Sequence, residues 1–333
     1  MLSHEPSAGV PSLRARATWL QAGLQLLPVP RLSVLIFHRV LRQFDPLRPS
    51  EPTVGEFEAR MHWIAANFNV LPLSEAVKAL AAGRLPRRAL SITFDDGYAD
   101  NHDLALPALK KTGLTATFFV ASGYLDGGCM FNDAVIEAVR RAPGPVLDLS
   151  PFGMDRYPLT SDGDRRAAIA RILETLKYLP PTQRQVQVER ICESAGAAPP
   201  RDLMMTSSQV AALHRAGMEI GAHTVSHPIL AKIGIDEARD EIASGRRQLE
   251  EIIGARVGLF AYPNGRPQRD YEGAHVALVR ELGFDAAVST AWGAARAGCD
   301  AFQIPRFTPW DRSDLRFGLR LLRNALKADY EIA

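Results

Sequence analysis

Leu90-Ser91-Ile92-Thr93-Phe94-Asp95-Asp96-Gly97 is the stretch on which the fold of this 333-residue chain turns. Leu90 to Phe94 is an apolar run of strand length, rich in β-branched and aromatic residues, and it predicts a buried strand. It ends on two adjacent carboxylates, after which Gly97 predicts a sharp turn. In α/β folds the carboxyl ends of parallel strands carry the chemistry. Two neighbouring aspartates there can do different jobs. One can bind a cation while the other, kept ionised beside it, accepts a proton. An ordinary Asp-Asp-Gly turn, with an aspartate capping the next helix, would use the same residues.

A second stretch, Met218-Glu219-Ile220-Gly221-Ala222-His223, also predicts a strand, and it runs into Thr224-Val225-Ser226-His227. Two histidines four apart can converge on one cation. Pro228 argues against a regular helix over Val225 to His227, because the residue before proline avoids the helical region. The pair is therefore expected on a loop leaving a strand end. Asp96, His223 and His227 would make a site of two nitrogens and one carboxylate, with positions left for water and substrate. The plain alternative is two surface histidines, among only eight in the chain.

Together, Thr93-Phe94-Asp95-Asp96-Gly97 and His223-Thr-Val-Ser-His227 resemble the polysaccharide deacetylases of the NodB-homology type, carbohydrate esterase family four. Phe260-Ala261-Tyr262-Pro263-Asn264-Gly265 is similar to that family's third motif, and the resemblance covers about Leu32 to Thr308. It implies an α/β fold: a distorted (β/α) barrel with fewer than eight strands and one divalent metal at its mouth. By ligand type zinc is the first choice, with nickel, cobalt and manganese open. The resemblance also implies Asp95 as general base and Asp96, His223 and His227 as metal ligands. The implied function is a metal-dependent hydrolase that removes acetyl groups from N- or O-acetylated sugars of a polysaccharide or glycan precursor. A metal-dependent amidase on a small non-sugar amide, and a catalytically weak carbohydrate-binding barrel, are the alternatives.

Two places depart from the family pattern. The arginine usually found two residues before the third motif's proline is Ala261 here, and no late histidine matches the family's general acid; His275 is the last in the chain. Arg306, at the end of an expected final strand Gln303 to Phe307, is a candidate to hold Asp95 or the substrate. His38 follows the strand-like run Leu32 to Phe37, where the family often carries Tyr-His, and is the candidate acid. A histidine satisfied within the barrel rim is the other reading. Tyr262, Pro263 and Asn264 are expected to border substrate, with a backbone N–H near Tyr262 stabilising the oxyanion. Tyr98, Tyr124 and Trp310 could stack on sugar faces or simply pack.

Composition sets wider limits. Hydrophobic content of 47% and charged content of 23% are those of an ordinary globular chain, and a net charge of +2 without a basic block gives no sign of nucleic acid. Three dispersed cysteines suggest neither a disulfide framework nor a cysteine zinc site. Residues 1–30 read as an arm. The run Ala17 to Val29 is broken by Gln21, Gly23 and Gln25 and makes a poor secretory segment, so a cytoplasmic location without stable membrane insertion is the expectation. Leu20, Leu24 and Leu27 would line one face of a short helix, expected as a docking arm, with a weak membrane contact as the other reading.

Residues 31–333 are expected to form a single catalytic domain. Helical spacing appears over Glu56–Ala66, Ser74–Ala82 with Ser74 as cap, Leu104–Lys111 with Pro107 in its first turn, Thr206–Arg215, Asp236–Ile253 with Asp236 as cap, Asp270–Leu282 and Arg312–Ala328. Thr115–Val120, Arg256–Ala261 and Ala286–Ser289 predict strands. Residues 143–205 break this rhythm, and Asp164–Tyr178 with Thr182–Ala195 predict a helical hairpin inserted against the barrel, with a lid over the site as the other reading. Asp133 is expected as a charge in the first turn of a helix, with substrate contact by Asn132 or Asp133 as the other reading.

Overall fold

The structure, a computed structural model, describes residues 18–26, 29–309, 311–327 and 329–333. In chain order its elements are α1 (Thr18–Gln25), β1 (Leu32–Phe37), α2 (Val54–Asn67), β2 (Asn69–Val70), α3 (Leu73–Ala81), β3 (Ala89–Phe94), α4 (Leu106–Thr112), β4 (Thr117–Val120) and α5 (Phe131–Arg141). There follow β5 (Val146–Asp148), β6 (Arg156–Pro158), α6 (Asp162–Lys177), α7 (Pro181–Ser194), α8 (Ser207–Arg215), β7 (Glu219–Ala222), α9 (Ile235–Ile253), β8 (Leu259–Ala261), α10 (Gly273–Glu281), β9 (Ala286–Val288) and α11 (Asp314–Leu326).

Seven strands form one parallel sheet in the order β1-β3-β4-β7-β8-β9, with β2 also paired to β3. Every residue of β1 and β3 is buried, as a parallel sheet covered on both faces requires. The sheet curls toward closure. Ile304 bridges to Val288 of β9 and Phe307 to Leu35 of β1, so residues 304–307 span the gap between the two edges. This is the distorted barrel expected. The final strand, however, is reduced to two bridges, because Pro305 has no N–H to donate to a ladder.

Other local expectations need correction. Ser74 does not cap α3; the cap position is Pro72, and the Ser74 hydroxyl donates to Glu219 instead. Asp236 lies inside α9, whose cap is Gly234 without a side-chain bond. Ahead of Pro107 the chain forms a π-helical turn over Asn101–Ala105, which relieves the clash a proline ring makes with the carbonyl four residues back. Asp133 is in the first turn of α5 but fully buried, 2.6 Å from Arg48 and accepting from the Tyr98 hydroxyl at 2.9 Å.

The insertion is helical as expected, with an unforeseen antiparallel hairpin of β5 and β6 ahead of it. It has its own apolar core, in which Ile169, Ile172 and Leu176 of α6 and Val188 and Ile191 of α7 meet Val135 and Val139 of α5. At the other end of the chain, α1 packs on α11, and Leu20 and Leu24 are buried there; Leu27 lies outside the described residues. Among the described residues no helix is long and apolar enough to cross a membrane. All three cysteines are thiols.

Candidate active site

The carboxyl ends of β1, β3, β7 and β8 converge on one cavity of about 350 Å³. His38, Asp95, Asp96, His223, His227 and Asn264 all line it. Local backbone makes this possible. Asp96 (φ 76°), Thr224 (φ 66°), His227 (φ 52°) and Asn264 (φ 59°) are all left-handed, an arrangement that costs energy for non-glycine residues and concentrates at functional sites. At Gly97 (φ 93°) a Cβ would lie 2.9 Å from Val120, so both the turn and its fit against β4 need glycine.

Asp96 faces both imidazoles. Its Oδ1 is 3.6 Å from His223 Nε2 and 3.5 Å from His227 Nε2, and the ligating atoms of the three residues lie within 4.8 Å of one another. Ligands about 2.0–2.1 Å from a tetrahedral ion stand about 3.4 Å apart, close to the two Asp96–imidazole distances, so the donor set and its spacing suit a small divalent cation. His223 Nδ1 lies 2.7 Å from the Ala261 carbonyl, a bond that sets the tautomer and turns Nε2 toward Asp96. Burial, with His223 adding to it, lowers the His227 pKa to about 3, leaving the imidazole neutral, the form in which it could hold a metal. Burial pulls His223 the same way, but the carboxylates of Asp95 and Asp96 outweigh it and raise its pKa.

The loop between the histidines is clamped by a residue that the sequence did not single out. Glu241 of α9 accepts from the backbone N–H groups of Val225 (2.9 Å) and Ser226 (2.8 Å) and from the Ser226 hydroxyl (2.7 Å). Gly245, one turn on, lets α9 come close, since a Cβ there would be 2.8 Å from the Thr224 backbone.

Asp95 is gripped from the far end of the chain. Arg306 donates to its two oxygens at 2.6 and 2.7 Å, and its Nε donates to the Ser289 carbonyl at 3.0 Å. Burial alone would raise the Asp95 pKa. The Arg306 guanidinium, with His223 behind it, prevails and holds the carboxyl below the usual carboxylate range.

Several expected contacts do not occur. The Tyr262 side chain is fully buried, stacked on Tyr271 and donating to the Phe302 carbonyl, and its backbone N–H is already bonded to Val288. Pro263 is buried and, like Tyr262, is not among the cavity's lining residues; Asn264 is the member of that motif that reaches it. Arg306 is engaged with Asp95 rather than exposed to substrate. Tyr98 is buried and bonded to Asp133, so it offers no ring to a sugar. Tyr124 is half-buried, donates to the Ser226 carbonyl and is not among the cavity's lining residues; Trp310 lies outside the described residues. The insertion does reach the site. Leu173, Glu174 and Lys177 of α6 and Arg184 of α7 line the cavity beside Phe131 and Asn132 of α5.

A profile of polysaccharide deacetylases matches residues 82–146 and 159–287, more than half of the chain. The chain belongs to the polysaccharide deacetylase family. The gap in the match falls on β5 and β6, the hairpin that opens the insertion. Among relatives of this family member, YxkH of Bacillus subtilis, named as a polysaccharide deacetylase, is 37% identical over 92 residues, 27% of this chain and 32% of YxkH. The poly-β-1,6-N-acetyl-D-glucosamine N-deacetylase of Staphylococcus epidermidis is 31% identical over 105 residues, 27% of this chain and 36% of that one. The matched part thus spans about a third of each curated relative. The fold is that of solved deacetylase structures. Streptococcus pyogenes PplD, in complex with acetate, superposes with a TM-score of 0.57 at 18% identity, covering 89% of this chain and 99% of its own. IcaB from Ammonifex degensii gives 0.57 at 18%, over 89% and 98%.

Proposed function

We propose that this protein is a metal-dependent hydrolase removing acetyl groups from N- or O-acetylated sugars of a polysaccharide or glycan precursor. The observation that carries this reading is the division of labour between adjacent carboxylates: Asp96 faces two imidazoles, and Asp95 faces an arginine. Asp96, His223 and His227 would hold a divalent cation, which would supply Lewis acidity toward an acyl oxygen and a water; zinc, nickel, cobalt and manganese all suit those donors.

Asp95 accepts a proton from the attacking water. Both of its oxygens bond to Arg306, yet each keeps a second lone pair, and the lowered pKa keeps the group ionised at neutral pH. Arg306 is a positioning residue that fixes the plane of the base. His38 lines the same cavity and donates a proton to the departing amine or alkoxide. Asn264 presents an amide to the sugar or its acetyl oxygen. Amide or ester plus water thus becomes amine or alcohol plus acetate. Residues 31–333 act as one catalytic domain in this reading, since the insertion and the strand ends line one cavity. The activity in the name of the Staphylococcus epidermidis relative is of this kind.

The test is acetate release from a panel of acetylated glycans, with and without chelator. Release that chelator abolishes and zinc restores is expected. No release from any acetylated sugar by metal-loaded protein would remove the reading.

A further inference from the structure

Arg184 is only 8% exposed, lines the active-site cavity, and lies 4.4 Å over the Phe131 ring. Stacking uses the face of a guanidinium and leaves its N–H edge for an acceptor. Among the described residues Arg184 forms no ion pair, and its side chain has no hydrogen-bond acceptor in the protein. A desolvated cation without a counter-charge is costly to keep, and burial accordingly lowers its pKa. Its companion on the same wall is Lys177, half-buried and also in no ion pair. Behind Lys177 sits the ring of Tyr178, approached by Lys177 at 5.8 Å, Lys232 at 6.0 Å and Arg269 at 5.1 Å. Two carboxylates lie nearby without pairing to either cation. Glu174, exposed, lines the same cavity, and Asp270 acts on Lys177 through its charge while one of its oxygens accepts from the Arg266 backbone.

We propose that Arg184 and Lys177 form an anion subsite in the active-site cavity, so that the preferred substrate is an acetylated sugar bearing a carboxylate or a phosphate. The inference rests on the deacetylase reading for its acetyl group, while the anion subsite stands on the insertion's own residues. The planar fork of Arg184 matches either oxyanion through paired hydrogen bonds, and Lys177 adds a movable point charge. A cavity of about 350 Å³ lies in the range of small-molecule sites, roughly 300–1,000 Å³, and holds a sugar unit with its substituents. The strand ends would then engage the acetyl group while the insertion selects the charge.

Two measurements on the full metal-loaded chain test this separately. In the first, glucuronate, glucose 1-phosphate and glucose are titrated by calorimetry into wild type, Arg184→Gln and Lys177→Gln. Wild type should bind at least one of the charged ligands about tenfold or more tighter than glucose, as charge-assisted hydrogen bonds allow. Each substitution should erase most of that preference, and the ligand bound better tells carboxylate from phosphate. In the second, kcat/KM for acetate release is compared between neutral and charged acetylated oligosaccharides. The charged-to-neutral ratio should exceed one in wild type and fall in both variants, chiefly through KM. Equal binding of charged and neutral ligands, or a preference unchanged in both variants, overturns the subsite. Acetate release without charge preference does the same while leaving the deacetylase reading intact. Charge-selective binding without acetate release supports the subsite and counts against that reading. If Arg184→Gln fails to fold, Lys177→Gln and loss of the preference at high salt carry the test.

Discussion

Arg306 holds Asp95 through both oxygens, across a separation of 211 residues, from the segment that bridges the sheet's open edges. Closure of the barrel and orientation of Asp95, the proposed base, are therefore one structural event. Arg306→Met leaves a buried carboxylate without its partner and should cost about 3–5 kcal/mol at neutral pH. Arg306→Met combined with Asp95→Asn should recover much of that, measured by urea unfolding. The pH dependence has a definite sign. A carboxyl held low when folded stabilises the protein above its unfolded pKa, and this stability is lost as pH falls through the folded value. The deficit of Arg306→Met relative to wild type should therefore narrow as pH falls. A deficit independent of pH would show that the pair is not its source.

Asp95→Asn should lower kcat about 100-fold or more and leave the metal bound, because the base acts in the transition state and does not complete the triad. His38→Ala should also lower kcat and remove the alkaline limb of the pH–rate profile. Full activity with an unchanged profile in His38→Ala would exclude it as the acid.

Glu241 touches no proposed ligand, yet it ties down the loop that carries His227. Glu241→Ala leaves three donors without their acceptor and should weaken metal affinity about 10–100-fold, the usual effect of losing an outer-shell partner. Competition against a metal-sensitive dye measures it. Unaltered affinity would mean that the loop holds its shape by Thr224, which accepts from the His227 N–H, and not by Glu241.

Strands β1 and β3 were legible as short, largely apolar runs and β7 as a shorter one behind Glu219, each ending in polar residues: His38, the Asp95-Asp96 pair and His223. Asp95, Asp96, His223 and His38 share that signal, and His227 follows from its four-residue spacing to His223, so the five could be grouped before the fold was known. Arg306 was only half legible. Its strand-end position was visible, but its partner lies far away in sequence and is set by barrel closure. Glu241 carries no mark at all, since on an amphipathic helix it reads as one more solvated acid. Tyr262 misled for the opposite reason. Its motif suggests substrate, yet burial and a stacked Tyr271 take its side chain into the core. Arg184 and Lys177 were hidden because helical spacing tells which face packs and not what the other face meets.

Metal content and acetate release, measured on the same samples of wild type and His223→Ala, test the central claim most directly. The account predicts about one divalent ion per wild-type chain and chelator-sensitive acetate release from an acetylated glycan. It predicts loss of both in His223→Ala, as removal of one ligand from a three-ligand site entails. Unchanged metal stoichiometry in His223→Ala, or acetate release that persists without metal, would contradict it.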